Sequence, residues 1–119
     1  MVPTSLTSAA SLRARGELTA VDLAIRCLAN ARAAAWTNAF VELAPEADIL
    51  ASAAAADERR SRGASLGPLD GIPIGVKDNI SVRGLRCTAG SQSLRDYVAP
   101  FNATAVERLL AAGAVVVGE

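Results

Sequence analysis

The sequence predicts an α/β chain: N-terminal helices followed by the first strands of a mixed, mostly parallel sheet. Three observations predict it. Ala114–Val117 is a continuous apolar run, the pattern of a strand covered on both faces. Ile72–Val76 is a second short apolar run, broken by Pro73 and Gly75. Between and before these runs lie segments with helical periodicity and capping residues.

The elements follow in order. Thr7 is placed to cap a short helix that stops at Gly16. Thr19 opens a second helix, with Asp22 in its first turn and an apolar stripe of Val21, Ala24, Ile25 and Leu28. Asn38–Leu43 reads as a short strand. Pro45 suits a helix start, and an Ala-rich helix runs on to about Arg62. Its last residues, Asp57, Glu58, Arg59, Arg60 and Arg62, read as a solvated end. Between Gly63 and Gly90 lie six of the nine glycines and two of the five prolines. Gly75 within the first strand suggests a close backbone approach. Asn102 is placed to cap a last helix that ends at Gly113. The same Asn102-Ala103-Thr104 triplet matches a glycosylation acceptor, but the chain has no secretory signal and the cap reading is preferred.

The chain has 119 residues, enough for one small domain or part of a larger one. The organisation read from it is the N-terminal part of a single domain spanning 1–119. A helical region covers 1–66 and the start of an α/β core covers 67–119. A strand buried on both faces needs further crossovers, and none follows Ala114–Val117, so the sequence reads as a fragment. Apolar residues make up 51 %, but 26 of them are Ala, so the core is thin.

Composition excludes several functions. Twelve basic residues balance twelve acidic ones, which argues against a nucleic-acid face. There is no His, so the commonest general base and metal ligand is missing. Cys27 and Cys87 lie too far apart in sequence for a redox or zinc motif and read as unpaired thiols. No stretch reaches the roughly 18 apolar residues of a membrane span. The first sixteen residues carry Ser and Arg and no acid, a weak transit-like feature, but they also read as a capped helix. No cofactor or metal is expected in this chain.

Lys77 is the only lysine; eleven arginines supply every other positive side chain. It follows the apolar strand, in Gly71-Ile72-Pro73-Ile74-Gly75-Val76-Lys77-Asp78-Asn79. A buried lysine can lose its proton because desolvation disfavours the ammonium, whereas arginine stays charged. A neutral amine can then serve as base to a serine hydroxyl. The plainer alternative is a strand-end lysine that reaches solvent or pairs with Asp78. Asp78 and Asn79 read as turn residues, and Ser91 and Ser93 as loop hydroxyls.

The stretch from Gly67 to Ile80 resembles the lysine motif of the amidase signature family. Ala89-Gly90-Ser91, Ala99–Leu109 and Ala112–Gly118 resemble the segments that follow that motif. The resemblance covers essentially the whole chain. It implies a Ser–cis-Ser–Lys amidohydrolase in which Lys77 is the catalytic lysine. In such enzymes the neutral amine draws a proton through a bridging serine, and the nucleophilic serine attacks an amide carbonyl. Both serines belong to a Gly/Ser-rich segment beyond Glu119, so the chain alone is expected to be inactive.

Within that family, Tyr97–Leu109 resembles the glutaminase subunit of glutamyl-tRNA(Gln) amidotransferases. That resemblance implies glutamine as the amide, and the tRNA-binding subunit and a third subunit of the same complex (subunits B and C) as partners. ATP and Mg2+ would be used by a partner, and the compartment would be the cytoplasm or the mitochondrion. One departure keeps a general amidase of small carboxylic amides open. The Thr88-Ala89-Gly90-Ser91 run stands where the glutaminase subunit usually has Thr-Cys-Ala-Ser. A truncated, non-catalytic chain is the third alternative.

Overall fold

A computed structural model describes residues 3–119. The first two residues of the helical region read as 1–66 lie outside it. Four helices, α1 (Leu6–Ala14), α2 (Ala20–Ala33), α3 (Glu46–Ser61) and α4 (Thr104–Ala111), surround two strands, β1 (Pro73–Gly75) and β2 (Val115–Gly118).

The strands pair in parallel, with Pro73 opposite Val115, Ile74 opposite Val116 and Gly75 opposite Gly118 after a bulge. The crossover between them contains α4, the connection that parallel strands require. β2 is the inner strand. On its other side the backbone of residues 41–44 runs antiparallel: the Ala44 N–H donates to the Val117 carbonyl at 3.0 Å and the Glu119 N–H to the Glu42 carbonyl at 2.9 Å. The strand read at Asn38–Leu43 therefore reduces to one antiparallel bridge, Leu43 with Gly118. Its first residue explains why: Asn38 adopts a left-handed conformation (φ 54°) that ends a short 3-10 turn and cannot continue a strand.

β2 is covered on both faces, as its composition predicts. Val115 and Val117 pack against Ala20, Ala24 and Leu28 of α2 and against Ile49, Ala53 and Ala56 of α3. Val116 points the other way, with Ile74, toward Val76, Val82, Leu85 and Val106. The many alanines have a use here. Small side chains at i+4 and i+7 from Ile49 let α3 approach α2 closely enough to bury both. The α2 stripe is rotated from the expected one. Ala20, Leu23, Ala24 and Leu28 are buried, whereas Ile25 is about half exposed. Periodicity alone fits either stripe; the choice follows from α1, which adds Ala9 to Leu18, Leu23 and Ile72 on the flank of α2.

The caps differ in detail from their sequence assignments. Ser5, not Thr7, caps α1, exchanging hydrogen bonds with Ser8 in a capping box. Thr19 caps α2 as expected, accepting from the Asp22 N–H at 3.0 Å. Asn102 does not cap α4; Ala103 occupies that position, and the Asn102 Oδ1 accepts instead from the Arg83 N–H at 2.7 Å. The close approach expected at Gly75 is present: a Cβ there would lie 3.3 Å from the Phe40 ring.

The end of α3 is not a solvated tail. Asp57 receives the Arg13 guanidinium at 2.9 Å and the N–H groups of Ala20 and Val21 at 2.7 and 3.1 Å. It thus caps α2 from a neighbouring helix while pairing with α1. Arg59 holds Asp70 through two hydrogen bonds of 3.2 and 2.7 Å, and Arg13 Nε donates to the Asp70 carbonyl. Burial works against both carboxylates. At Asp57 the Ala20 N–H and Arg13 outweigh it, and at Asp70 Arg59 and the Leu66 N–H do, so both pKa values lie below the ordinary range.

Candidate active site

Both parallel strands end at the same edge of the sheet, where Gly75 faces Gly118. The carboxyl edge of parallel strands is where open α/β sheets place their ligands. Lys77 lies two residues past the end of β1 and Glu119 one residue past the end of β2. The sheet therefore brings the residue singled out by sequence to the edge where chemistry is expected.

The turn that carries Lys77 is well held. The Lys77 carbonyl accepts from the N–H groups of Asn79 and Ile80 at 2.7 and 2.9 Å, and the Val76 N–H donates to the Gly118 carbonyl at 3.0 Å. Beneath it, Val76, Val82, Leu85 and Val106 form an apolar cluster. The backbone is thus anchored, but the side chain is not. Lys77 is exposed and makes no side-chain hydrogen bond or ion pair with the described residues. The burial expected for a neutral lysine base is not provided by these 119 residues. Asp78 does not pair with Lys77 either.

Asp78 is more than a turn residue. Its carboxylate accepts from the Thr88 N–H at 2.5 Å and from the Thr88 hydroxyl, joining the Lys77 turn to the loop that follows. Burial disfavours its charge, but the Thr88 hydroxyl and N–H and the nearby Gly90 and Ala89 N–H groups outweigh burial and lower its pKa. The Ala89 N–H also donates to the Asp78 carbonyl at 2.7 Å. Ser91 and Ser93 are both exposed; Ser91 lies in a loop, as expected, but Ser93 lies within a short 3-10 turn, Gln92–Leu94. Ser91 helps line a shallow recess of about 270 Å3 with Arg86, Thr88, Gly90, Gln92 and Arg95. A larger cleft of about 540 Å3, lined by Arg13, Arg60, Ser65 and Asp70 among others, lies away from Lys77.

Sequence reasoning does not reach Glu119. It is 3 % exposed, and among the described residues neither carboxylate oxygen has a hydrogen bond. The Val82 N–H lies near enough to favour the anion without forming such a bond. Burial, then the charges of Asp78 and Glu42, push its pKa up to about 7. A carboxylate oxygen of Asp78, the Cys87 Sγ and a carboxylate oxygen of Glu119 all lie within 4.8 Å of one another, the one grouping among the described residues able to hold a metal ion. Both cysteines are free, as expected; Cys87 is buried and Cys27 partly so. No local spacing signals this grouping, because its members come from three separate segments.

No helix of the described residues is long and apolar enough to cross a membrane. Comparison with known proteins places this edge in a family. A glutamyl-tRNA(Gln) amidotransferase subunit from Chloroflexus aurantiacus is 53 % identical over 116 residues, covering 97 % of this chain and 24 % of that protein. The mitochondrial form of the same subunit from Xenopus laevis is 40 % identical over 119 residues, covering 100 % of this chain and 22 % of that protein. The peptide amidase of Stenotrophomonas maltophilia superimposes with a TM-score of 0.87 at 37 % identity, over 98 % of this chain and 24 % of that one. The chain thus spans about a quarter of the length of these relatives. A family model described as Amidase matches residues 22–119; with the α/β fold shared by those amidases, this chain belongs to the Amidase family.

Proposed function

We propose that this chain is the N-terminal part of a single amidase domain, covering 1–119, and that Lys77 is its catalytic base. The observation that carries the reading is the position of the sole lysine, two residues past the carboxyl end of β1 in a turn anchored by backbone hydrogen bonds. A neutral Lys77 amine would accept a proton through a bridging serine from the nucleophilic serine. The serine oxygen then attacks the amide carbonyl, ammonia or an amine leaves, and water or another acceptor releases the acyl group. A neutral amine needs desolvation. In this reading the Gly/Ser-rich segment that supplies both serines also covers Lys77, and the 119 residues by themselves are inactive.

The identity to amidotransferase sequences in bacteria and animal mitochondria supports glutamine as the amide, with the chain acting as the glutaminase subunit and subunits B and C as its partners. The reading assigns no cofactor to the hydrolytic step in this chain; ATP and Mg2+ belong to the partner that activates glutamyl-tRNA. It places the protein in the bacterial cytoplasm or the mitochondrion. A second reading, a general amidase of small carboxylic amides, draws on the Thr88-Ala89-Gly90-Ser91 run and on the likeness to the peptide amidase.

The test uses the full-length protein. Lys77→Ala and Lys77→Arg should each lower glutamine-dependent ammonia release by at least ~10²-fold, the contribution of a positioned base. The fold should persist, because backbone hydrogen bonds, not the Lys77 side chain, anchor the turn. Wild-type turnover in the Arg variant would overturn the base role, since arginine cannot act as a neutral base. Hydrolysis of simple amides without subunits B and C would favour the second reading.

A further inference from the structure

We infer that Asp78 is a positioning residue for Lys77: by gripping Thr88 it fixes the turn that carries the lysine against the loop 88–91. The inference rests on the reading of Lys77 as the base and adds what holds that base in place.

Lys77 stands between two pins. On one side the Val76 N–H donates to the Gly118 carbonyl at 3.0 Å and ties the turn to β2. That pin is backbone only, so loss of a side chain does not remove it. On the other side the pin is Asp78. Its carboxylate accepts from the Thr88 N–H at 2.5 Å and from the Thr88 hydroxyl, and its carbonyl accepts from the Ala89 N–H at 2.7 Å. The partners are ten residues apart, so the contact joins two loops rather than closing one turn. Thr88 is itself buried, and the Cys87 N–H before it donates to the Tyr97 carbonyl at 3.0 Å. Asp78 therefore grips a fixed anchor. A carboxylate suits the task, because it only accepts and its charge strengthens both bonds.

The loop it grips is strained. Ala89 has φ 50° and Gly90 φ 71°. Left-handed backbone is unfavourable for alanine and persists where neighbouring contacts over-determine it, often at functional sites. Asp78 and Thr88 supply those contacts: the Ala89 N–H is held by Asp78, and the Gly90 N–H donates to the Thr88 hydroxyl oxygen at 3.2 Å. The lysine stem is long and flexible, so where its amine stands is set first by where the turn stands. A misplacement of about 1 Å can cost ~10²-fold in rate.

The experiment measures glutamine-dependent ammonia release by the full-length protein, expressed per folded molecule from thermal unfolding and circular dichroism. Asp78→Ala should lower kcat at least ~10-fold and leave KM within about 2-fold, the signature of a contact that matters in the transition state. Thr88→Val should lower kcat in the same way, and Thr88→Ser, which keeps the hydroxyl, should restore it to within about 2-fold. The double variant Asp78→Ala/Thr88→Val should be no slower than Asp78→Ala, because both act through one contact. In a Lys77→Ala background, Asp78→Ala should add less than about 2-fold. Wild-type kcat per folded molecule in Asp78→Ala, beside an inactive Lys77→Ala, would overturn the positioning role alone. So would a Thr88→Ser variant as slow as Thr88→Val. Wild-type turnover in Lys77→Ala would instead overturn the base reading, and the inference with it.

Discussion

The clamp between α1, α2 and α3 and the loop at the carboxyl edge of the sheet handle charge in opposite ways. In the clamp, four buried or half-buried ions are matched, although the Nε of the neighbouring Arg60 on α3 is buried without a hydrogen bond among the described residues. Arg13 binds Asp57 and the Asp70 carbonyl, Arg59 binds Asp70, and Asp57 also satisfies two free N–H groups at the start of α2. At the edge, among the described residues, the one lysine is exposed and the buried Glu119 carboxylate has no hydrogen bond. The difference teaches which part is structural and which is reserved. Completed polar networks rigidify a fold; unpaired ionisable groups in an anchored frame mark a place for chemistry or a ligand.

Several measurements would break or sharpen that contrast. The largest expected effect is at the clamp. Asp57→Ala leaves the buried Arg13 guanidinium without its carboxylate and strips the cap from α2; urea unfolding should show a loss of about 3–5 kcal/mol. A loss below about 1 kcal/mol would mean that the network adds nothing beyond packing. Gly71→Ala comes next. Gly71 has φ 77°, and a Cβ there would meet Arg13 Nη2 at 2.5 Å and the Ala20 Cβ at 2.7 Å. The left-handed backbone and the overpacking together should cost about 2–4 kcal/mol.

Acid titration probes both clamp carboxylates at once. Their folded pKa values lie below the ordinary value of about 3.9. Their stabilisation is therefore complete above that pH and is lost as the pH falls through it toward the folded values. Unfolding free energy measured against pH should decline there, and Asp57→Asn should flatten the decline. The smallest effect is expected at the exposed Arg62–Glu58 pair of α3. Glu58→Gln should change stability by less than about 0.5 kcal/mol, the benchmark against which the buried clamp is judged.

Much of the fold is legible in the residues. β2 announces its two-sided burial through an unbroken run of Ala and Val, and β1 announces itself through an apolar run that Pro73 and Gly75 interrupt. Both strands, the Thr19 cap and the lysine at the strand end stand where local chemistry puts them. The misassigned charges and core positions share one cause, whereas the strand read at Asn38–Leu43 and the cap read at Thr7 fail locally, at a left-handed Asn38 and a Ser5–Ser8 capping box. Asp57 and Arg59 look solvated in sequence because a helical pattern shows which residues share a face but not what faces them. Ile25 falls into the apparent core stripe of α2 for the same reason. Asn102 has a cap's chemistry, but its oxygen is taken by a backbone N–H nineteen residues away. Asp78, Cys87 and Glu119 are invisible as a group because parallel pairing, not spacing, brings the end of β2 beside the turn after β1.

By itself, the sequence determined the four helices, the strands β1 and β2, the burial of Val115 and Val117 and the identity of the single lysine, because periodicity, capping and composition act over a few residues. Only the tertiary structure decided which charges are matched and which are left open. Ion pairs, orphaned carboxylates and the exposure of Lys77 depend on segments far apart in the chain, whose approach is fixed by how α2 and α3 pack on the sheet.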